Sequence, residues 1–252
     1  MNDVSGQVVI VTGAGSGLGR AIAKLFHSNG AKVFATDINK ENLDSLKTDF
    51  GHSTETCHVD MADPGSVTGM IEKAVSRFGR IDVLINNAGI MDDFSPVGEV
   101  SDAMWDRVMK VNVEGPFRAM RAVIPVMLKQ GAGAIINIAS IGGLQGARAG
   151  AAYTTSKHAL IGLTKNTGFV YAKSGIRCNA IAPGAMDTQI ASGIDFSKIS
   201  SLANERIMPG MVTNPRTSSP EEVAQVALFL ASQNASFLNG SVIVADGGWT
   251  AY

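Results

Sequence analysis

The stretch from Val8 to Phe26 restricts what this chain can fold into more than any other part of it. Val8-Val9-Ile10-Val11 is short, wholly apolar and rich in β-branched residues, the pattern of a strand buried on both faces of a parallel sheet. It runs straight into Thr12-Gly-Ala-Gly-Ser-Gly-Leu-Gly19, then a helical pattern through Ala21, Ile22, Leu25 and Phe26, with Gly30 as a helix stop. Strand, glycine-rich turn and helix start together make an anion site, because backbone N–H groups and the helix dipole converge there. The glycines permit a sharp turn and let a pyrophosphate approach the main chain. The spacing is not Gly-x-Gly-x-x-Gly, since Leu18 or Arg20 takes the last place, and no Gly-Lys-Ser/Thr closes a P-loop. It is Thr-Gly-x-x-x-Gly-x-Gly from Thr12 to Gly19.

The second strand, Lys32 to Thr36, ends at Asp37, eighteen residues past Gly19. A carboxylate there accepts hydrogen bonds from adenosine ribose hydroxyls and repels a 2′-phosphate. No arginine or lysine at position 14, 16 or 38 offers that phosphate a partner, so NAD is favoured over NADP. Asp37 can also cap a helix starting near Asn39, which is compatible with the ligand role.

The alternation then repeats. Thr54–Val59 reads as a third strand closing on Asp60 and Met61, and Pro64 to Phe78 as a helix with proline in its first turn. Val83-Leu84-Ile85 runs into Asn86-Asn-Ala-Gly89, and a long helix follows from about 102 to 129, interrupted around Gly115-Pro116. Ala134–Ile138 and Arg177–Ile181 are further strands, and Val242–Ala245 is the last. The pattern predicts an α/β fold, a doubly wound parallel sheet of about seven strands with helices on both faces. No linker or longer repeat appears, so residues 1–252 read as a single domain.

Apolar residues make up 45% of the chain, enough for a large core, and charged residues only 17%, which excludes a disordered or coiled-coil chain. A net charge of −1 without charged blocks removes the usual drive toward nucleic acid or anionic membrane. Cys57 and Cys178 lie apart in apolar runs and read as buried free thiols. His27, His52, His58 and His158 lack metal-ligand spacing, so no metal site is expected. No basic segment leading into an apolar run opens the chain, and no stretch reaches the roughly 20 apolar residues of a membrane helix. A cytoplasmic, soluble protein is expected.

The chemistry centres on Tyr153-Thr-Thr-Ser-Lys157, in a stretch of good helix formers, with Ser140 thirteen residues before Tyr153. Residues four apart share a helix face, which brings the Tyr153 hydroxyl and the Lys157 ammonium together. A phenol near pKa 10 is a poor base at neutral pH. Lowering it to about 7 takes roughly 4 kcal/mol, about what one unit charge supplies at about 4 Å with an effective dielectric near 20. Lys157 is therefore expected to make Tyr153 usable for proton transfer to or from a hydroxyl or carbonyl.

Thr12 to Gly19, Asn86 to Gly89, Asn112, Ser140 and Tyr153-x-x-x-Lys157 stand in one order, followed by Pro183-Gly184, Thr188 and Asp246-Gly-Gly248. With these residues the chain resembles the compact, single-domain members of the short-chain dehydrogenase/reductase family almost end to end. The resemblance implies a Rossmann fold. It also implies Tyr153 as general acid/base, Ser140 polarising the substrate oxygen, Lys157 lowering the tyrosine pKa and binding the nicotinamide ribose, and Asn112 holding a relay water. Asn112 also reads as a buried polar group satisfying a helix break near residues 113–116, and the two readings are compatible. On the cofactor side it implies Gly13, Ser16, Gly17, Leu18, Gly19, Asp37 and Ile38 at the adenosine half, and Asp60 and Met61 at the adenine. Asn87, Ala88, Gly89 and Val111 would line the central ribose region; Pro183, Gly184, Met186 and Thr188 the nicotinamide end. In the family the last helix and strand often build an interface, commonly within tetramers, so a homotetramer is expected.

From Met186 to about Ser219 the alternation breaks into apolar residues scattered among Ser, Gly, Asn and Pro. The segment resembles the family's substrate lid, and a short helical pair packed on the body is the other reading. A largely apolar, uncharged alcohol or ketone is expected as substrate, lined by Met91, Leu144, Gln145, Met186 and the lid. The resulting expectation is an NAD-dependent alcohol dehydrogenase or ketone reductase. An NADPH-dependent carbonyl or 3-oxoacyl reductase is the alternative, and a non-catalytic cofactor sensor a more distant one. Trp249 and Tyr252 read as exposed aromatics or contacts to a neighbour.

Overall fold

A computed structural model describes residues 3–50 and 54–251; His52 and Tyr252 lie outside the described residues. Seven parallel strands form one sheet: β1 (Val8–Thr12), β2 (Lys32–Asp37), β3 (Glu55–His58), β4 (Val83–Asn86), β5 (Gly133–Ile138), β6 (Ile176–Pro183) and β7 (Val242–Ala245). Their order is β3-β2-β1-β4-β5-β6-β7. The direction of winding reverses between β1 and β4, and the crevice beyond the carboxyl ends of those strands is where open α/β sheets bind ligands.

Between the strands come α1 (Gly17–Ser28), α2 (Lys40–Phe50), α3 (Pro64–Phe78), α4 (Asp102–Met109), α5 (Gly115–Gln130), α6 (Ala151–Val170), α7 (Ser201–Arg206), α8 (Met208–Met211) and α9 (Pro220–Ala231). Local chemistry sets their ends. For α3, Asp63 accepts the Ser66 N–H, Pro64 takes the first turn, and Gly79 stops the helix at φ 76°.

Alternating side chains split the core into two layers, one on each face of the sheet. Val9, Val11, Val33, Ala35, Val83, Ile85, Ala134 and Ile136 face α1 and α9. Ile10, Phe34, Leu84 and Ile135 face α3 and α5. All five residues of β1 are buried, as the unbroken apolar run requires. Cys57 and Cys178 are free and buried on β3 and β6.

The break expected near Gly115-Pro116 is a π turn, Lys110–Glu114, joining α4 to α5, with the Gly115 N–H donating to the Lys110 carbonyl five residues back. Pro116 has no N–H to give this turn, so a carbonyl of Val111 or Asn112 loses its intrahelical donor.

Candidate active site

The glycine turn is built for close approach. Gly13 and Gly17 take positive φ values of 66° and 49°, and a Cβ on Gly13 would stand 2.9 Å from the Ala88 Cα. A Cβ on Gly19 would lie 2.0 Å from the Gly13 carbonyl oxygen, so only glycine lets α1 begin this close to β1. Ser16 occupies the N-cap of α1 without a side-chain capping bond, leaving the helix's first N–H groups to an outside acceptor. The Thr12 Oγ1 ties the turn to β4 by accepting the N–H groups of Asn87 at 3.0 Å and Ala88 at 3.1 Å. The Asn87 amide returns hydrogen bonds to the carbonyls of Thr12 at 2.9 Å and Gly13 at 3.2 Å.

At the end of β2 the Asp37 carboxylate accepts from Gly15 N at 2.8 Å and from Asn39 N at 2.8 Å. It closes a local turn and stands beside the glycine turn. The cap of α2 is Asn39, whose Oδ1 accepts Asn42 N at 2.9 Å, and not Asp37, for which that role was the other expectation. Ile38 is 61% exposed next to it. Leu18 and Met61 are buried in the two core layers, which leaves their main chains rather than their side chains available to a ligand. Asp60 turns its carboxylate onto Ala62 N at 2.8 Å, and Val111 packs against the α3–α5 layer. Thr188 lies over the turn, its Cβ 3.3 Å from where a Gly17 Cβ would be, and Gly184 leaves room for Asp246. A cradle that added methyl groups would fill, an uncapped helix start and a ribose-height carboxylate fit a dinucleotide cofactor.

The catalytic candidates meet across the crevice. Ser140 ends β5, accepts Gly142 N at 3.0 Å through its Oγ and hydrogen-bonds the Tyr153 hydroxyl. On α6 the Lys157 ammonium lies 5.4 Å from the Tyr153 ring centre and donates to the Ile138 carbonyl at 2.9 Å. Gly89 forms the floor: a Cβ there would be 3.4 Å from Lys157 Nζ and 3.3 Å from Asn112 Oδ1. Tyr153 and Lys157 are both buried.

That burial overturns the expected lowering of the tyrosine pKa. Loss of solvent pushes Tyr153 up to about 12, against the lowering effect of its bond to Ser140, and Asp92 adds to the rise. The same loss brings Lys157 down to about 8. At neutral pH the pair is a neutral phenol beside an ammonium, a proton donor in waiting rather than a ready base.

Asn112 is a buried polar group beside the helix break, as the structural reading expects. Its Oδ1 accepts Ile90 N at 2.9 Å, while Nδ2 donates to the Ile90 carbonyl at 2.9 Å and to Ser156 Oγ at 3.1 Å. The amide fastens the segment after β4 to α6. The amide Oδ1 keeps a second lone pair, and Pro116 brings no N–H to the neighbouring π-turn carbonyls.

Among the expected substrate-side residues, Met91 packs into a small cluster with Phe94, Ile194, Ile199, Ala203, Ile207 and Met208. Leu144 is 43% exposed, just after the turn that follows Ser140. Met186 packs instead on the α1–α9 layer and pairs through its main chain with Ser218. Within the 186–219 segment lie the short helices α7 and α8, with Ala203, Ile207 and Met208 packed in the cluster around Phe94. Gln145 accepts from Arg148 Nε at 2.8 Å. The Arg148 guanidinium donates to the Gly210 carbonyl at 2.8 Å and stacks 4.5 Å from the Trp249 ring. Trp249 is thus neither exposed nor free for a neighbour: it is buried, with Nε1 donating to Thr213 Oγ1 at 2.8 Å. Sequence reasoning also missed Asp92, a buried carboxylate in the segment after β4.

A family model described as enoyl-(acyl carrier protein) reductase matches residues 13–250, spanning the glycine turn, the Ser140–Tyr153–Lys157 group and the last strand. The chain belongs to the short-chain dehydrogenase/reductase family. It is 41% identical over 253 residues to a 3beta-hydroxysteroid dehydrogenase 2 of Eggerthella lenta, covering 99% of this chain and 96% of the relative. It is 40% identical to a 3-oxoacyl-[acyl-carrier-protein] reductase of Thermotoga maritima, covering 97% and 98%. A 3-ketoacyl-(acyl-carrier-protein) reductase from Brucella melitensis, solved with NADH, superposes with a TM-score of 0.88 at 29% identity over 98% of this chain and 99% of that one. Family membership makes this an oxidoreductase of hydroxyl and keto compounds that uses a nicotinamide cofactor. No described helix is long and apolar enough to cross a membrane, and no metal-binding cluster occurs among the described residues.

Proposed function

We propose that this protein is an NAD(H)-dependent oxidoreductase that interconverts a largely apolar, uncharged secondary alcohol and its ketone, with Tyr153 as general acid/base. The observation that carries the reading is the Ser140–Tyr153–Lys157 group at the mouth of a glycine cradle whose ribose-side partner is a carboxylate. NAD(H), when bound, supplies or accepts the hydride at the carbinol carbon. The cradle from Gly13 to Gly19 would hold its pyrophosphate, Asp37 its adenosine ribose, and Lys157 with Asn87, Ala88 and Gly89 the nicotinamide side.

In the reductive direction the Ser140 hydroxyl, held by accepting Gly142 N, would turn its proton from Tyr153 to the substrate oxygen. Tyr153 gives its proton to that oxygen as the C=O bond becomes C–O–H, and Lys157 holds positive charge beside the resulting phenolate. Proton return to Tyr153 then comes from the Lys157 ammonium, which takes its own replacement proton from solvent. In the oxidative direction the same bonds are traversed in reverse, with Tyr153 taking the hydroxyl proton. A homotetramer in the cytoplasm belongs to this reading by family resemblance.

Two measurements test it. Fluorescence titration should show NADH binding clearly tighter than NADPH; tighter NADPH would transfer the reading to a biosynthetic reductase and remove Asp37 from the ribose. Tyr153→Phe should fold normally and lose roughly 10²–10⁴-fold in turnover of ketones and secondary alcohols, the usual yield of general acid/base catalysis.

A further inference from the structure

Asp92 is buried to 1% exposure in the segment between β4 and α4, where every bond it accepts comes from a main-chain N–H. Its Oδ1 takes Phe94 N at 3.1 Å and Gly150 N at 3.0 Å, and its Oδ2 takes Tyr153 N at 2.8 Å. Gly150 is the N-cap of α6 and has no side chain of its own to cap with. A Cβ there would come 2.6 Å from Asp92 Oδ2 and 2.7 Å from the Phe94 carbonyl carbon, so glycine is what admits the outside carboxylate. Ser95 completes the cap by accepting Ala151 N at 2.9 Å. The first turn of the tyrosine helix is therefore terminated from a loop some sixty residues earlier in the chain. The arrangement bends its own backbone: Phe94 has a φ of 63°, the sole positive value among described non-glycine residues.

We infer that Asp92 is the positioning residue of Tyr153: it fixes the first turn of α6 through the N–H groups of Gly150 and Tyr153 and sets a carboxylate at the start of the helix that carries the reacting phenol. The inference rests on Tyr153 being the acid/base proposed above. Other charged groups at this corner have separate employment. Lys157 donates to the Ile138 carbonyl, the Arg148 guanidinium is directed to Gly210 and Trp249, and Asp93, exposed, accepts Ser95 N. A carboxylate bonded to the Tyr153 main chain disfavours a second negative charge on that residue's phenol, adding to the larger effect of burial, and so preserves the proton for delivery.

The test uses Asp92→Asn and Asp92→Ser, each made with Tyr153 intact and with Tyr153→Phe. The chain has three tyrosines, so the difference in tyrosinate absorbance between such a pair isolates Tyr153. Read after a rapid pH jump, before alkaline unfolding, its ionisation should move down by about half a unit to one unit relative to wild type, the scale of one charge at several ångströms. In carbonyl reduction kcat should fall roughly tenfold with KM nearly unchanged, as for a misplaced catalytic group. An unmoved Tyr153 ionisation in a folded variant overturns the inference, whatever happens to kcat. Failure of both variants to fold also overturns it, since Asp92 would then serve the whole domain. If wild type reduces no carbonyl, the proposed function fails, and the absorbance difference still decides the place of Asp92.

Discussion

The two halves of the active crevice are specified in different ways. On the cofactor side, residues 12–19 build their own site from backbone: positive φ at Gly13 and Gly17, an atom-tight approach at Gly19, and tethers from Asn87. On the substrate side, the 186–219 segment depends on side chains borrowed from distant loops, among them Phe94 and Met91 under α7 and Arg148 under α8. A site made of backbone tolerates almost no change but is readable locally. A site made of packed side chains tolerates substitution and changes shape with it, which suits a family whose relatives act on steroids and on acyl carriers.

The sharpest way to break the contrast is Gly19→Ala. One methyl group placed 2.0 Å from the Gly13 oxygen forces α1 away from β1. NADH affinity should weaken at least about 100-fold, roughly 3 kcal/mol, in a fluorescence titration. If affinity holds within a few-fold, the cofactor half is more compliant than its geometry says.

Next comes the charge shared by both halves. Lys157 titrates at about 8 in the fold against 10.5 in the open chain, so between those values the unfolded state binds more protons and stability rises with pH. The same contribution is lost as pH falls through 8. In paired denaturant curves, wild type should gain on Lys157→Met by on the order of 3 kcal/mol across that interval. Tyr153 and Cys178, raised to about 12 from 10.0 and 9.0, act in the opposite sense from within that interval upward in both proteins and cancel in the difference. A pH-independent difference would mean the Lys157 ammonium is solvated.

On the substrate side the effects should be local. Ile199→Ala empties part of the cluster under α7 and should cost about 2 kcal/mol there, seen as faster hydrogen exchange over residues 196–211 while NADH affinity changes less than about twofold. A large loss of NADH affinity would show that the halves are mechanically one. The mildest change, Leu144→Ala just after the turn that follows Ser140, should raise KM for bulky apolar ketones severalfold, within about 1 kcal/mol, and leave small polar ketones alone. Equal effects on both substrate types would remove Leu144 from the pocket.

What could be read in advance follows the same division. The winding of the sheet, the glycine turn, Asp37, the break before Pro116 and the two buried thiols each have a signal within a few residues of themselves, and each is found where the pattern put it. The Tyr153–Lys157 pairing was legible as helix spacing, but its pKa values were not, because they depend on how much solvent the rest of the fold removes. Asp92 carries no local mark: its partners Gly150 and Tyr153 lie 58 and 61 residues away. Trp249 was misread for the same reason, since Arg148 and Thr213 are supplied by remote loops. An amide such as Asn112 is recognisable by family resemblance, yet only the fold shows that Ile90 and Ser156 are its partners.

The strand order has a consequence for how the chain gets folded. β1 is made first and pairs with β2, but its other edge must wait for β4, whose Val83–Ile85 pair with Val9–Val11 more than seventy residues later. The join is sealed by Asp82 accepting Val8 N at 2.8 Å, a bond across 74 positions. Until Asp82 to Asn86 have been synthesised, a fully apolar strand presents an open ladder. Such non-local parallel pairing is slow, and the intermediate that waits for it is prone to self-association. For this protein the vulnerable moment is early in synthesis, and a chaperone that shields Val8–Val11 would raise its yield more than one acting on the finished chain.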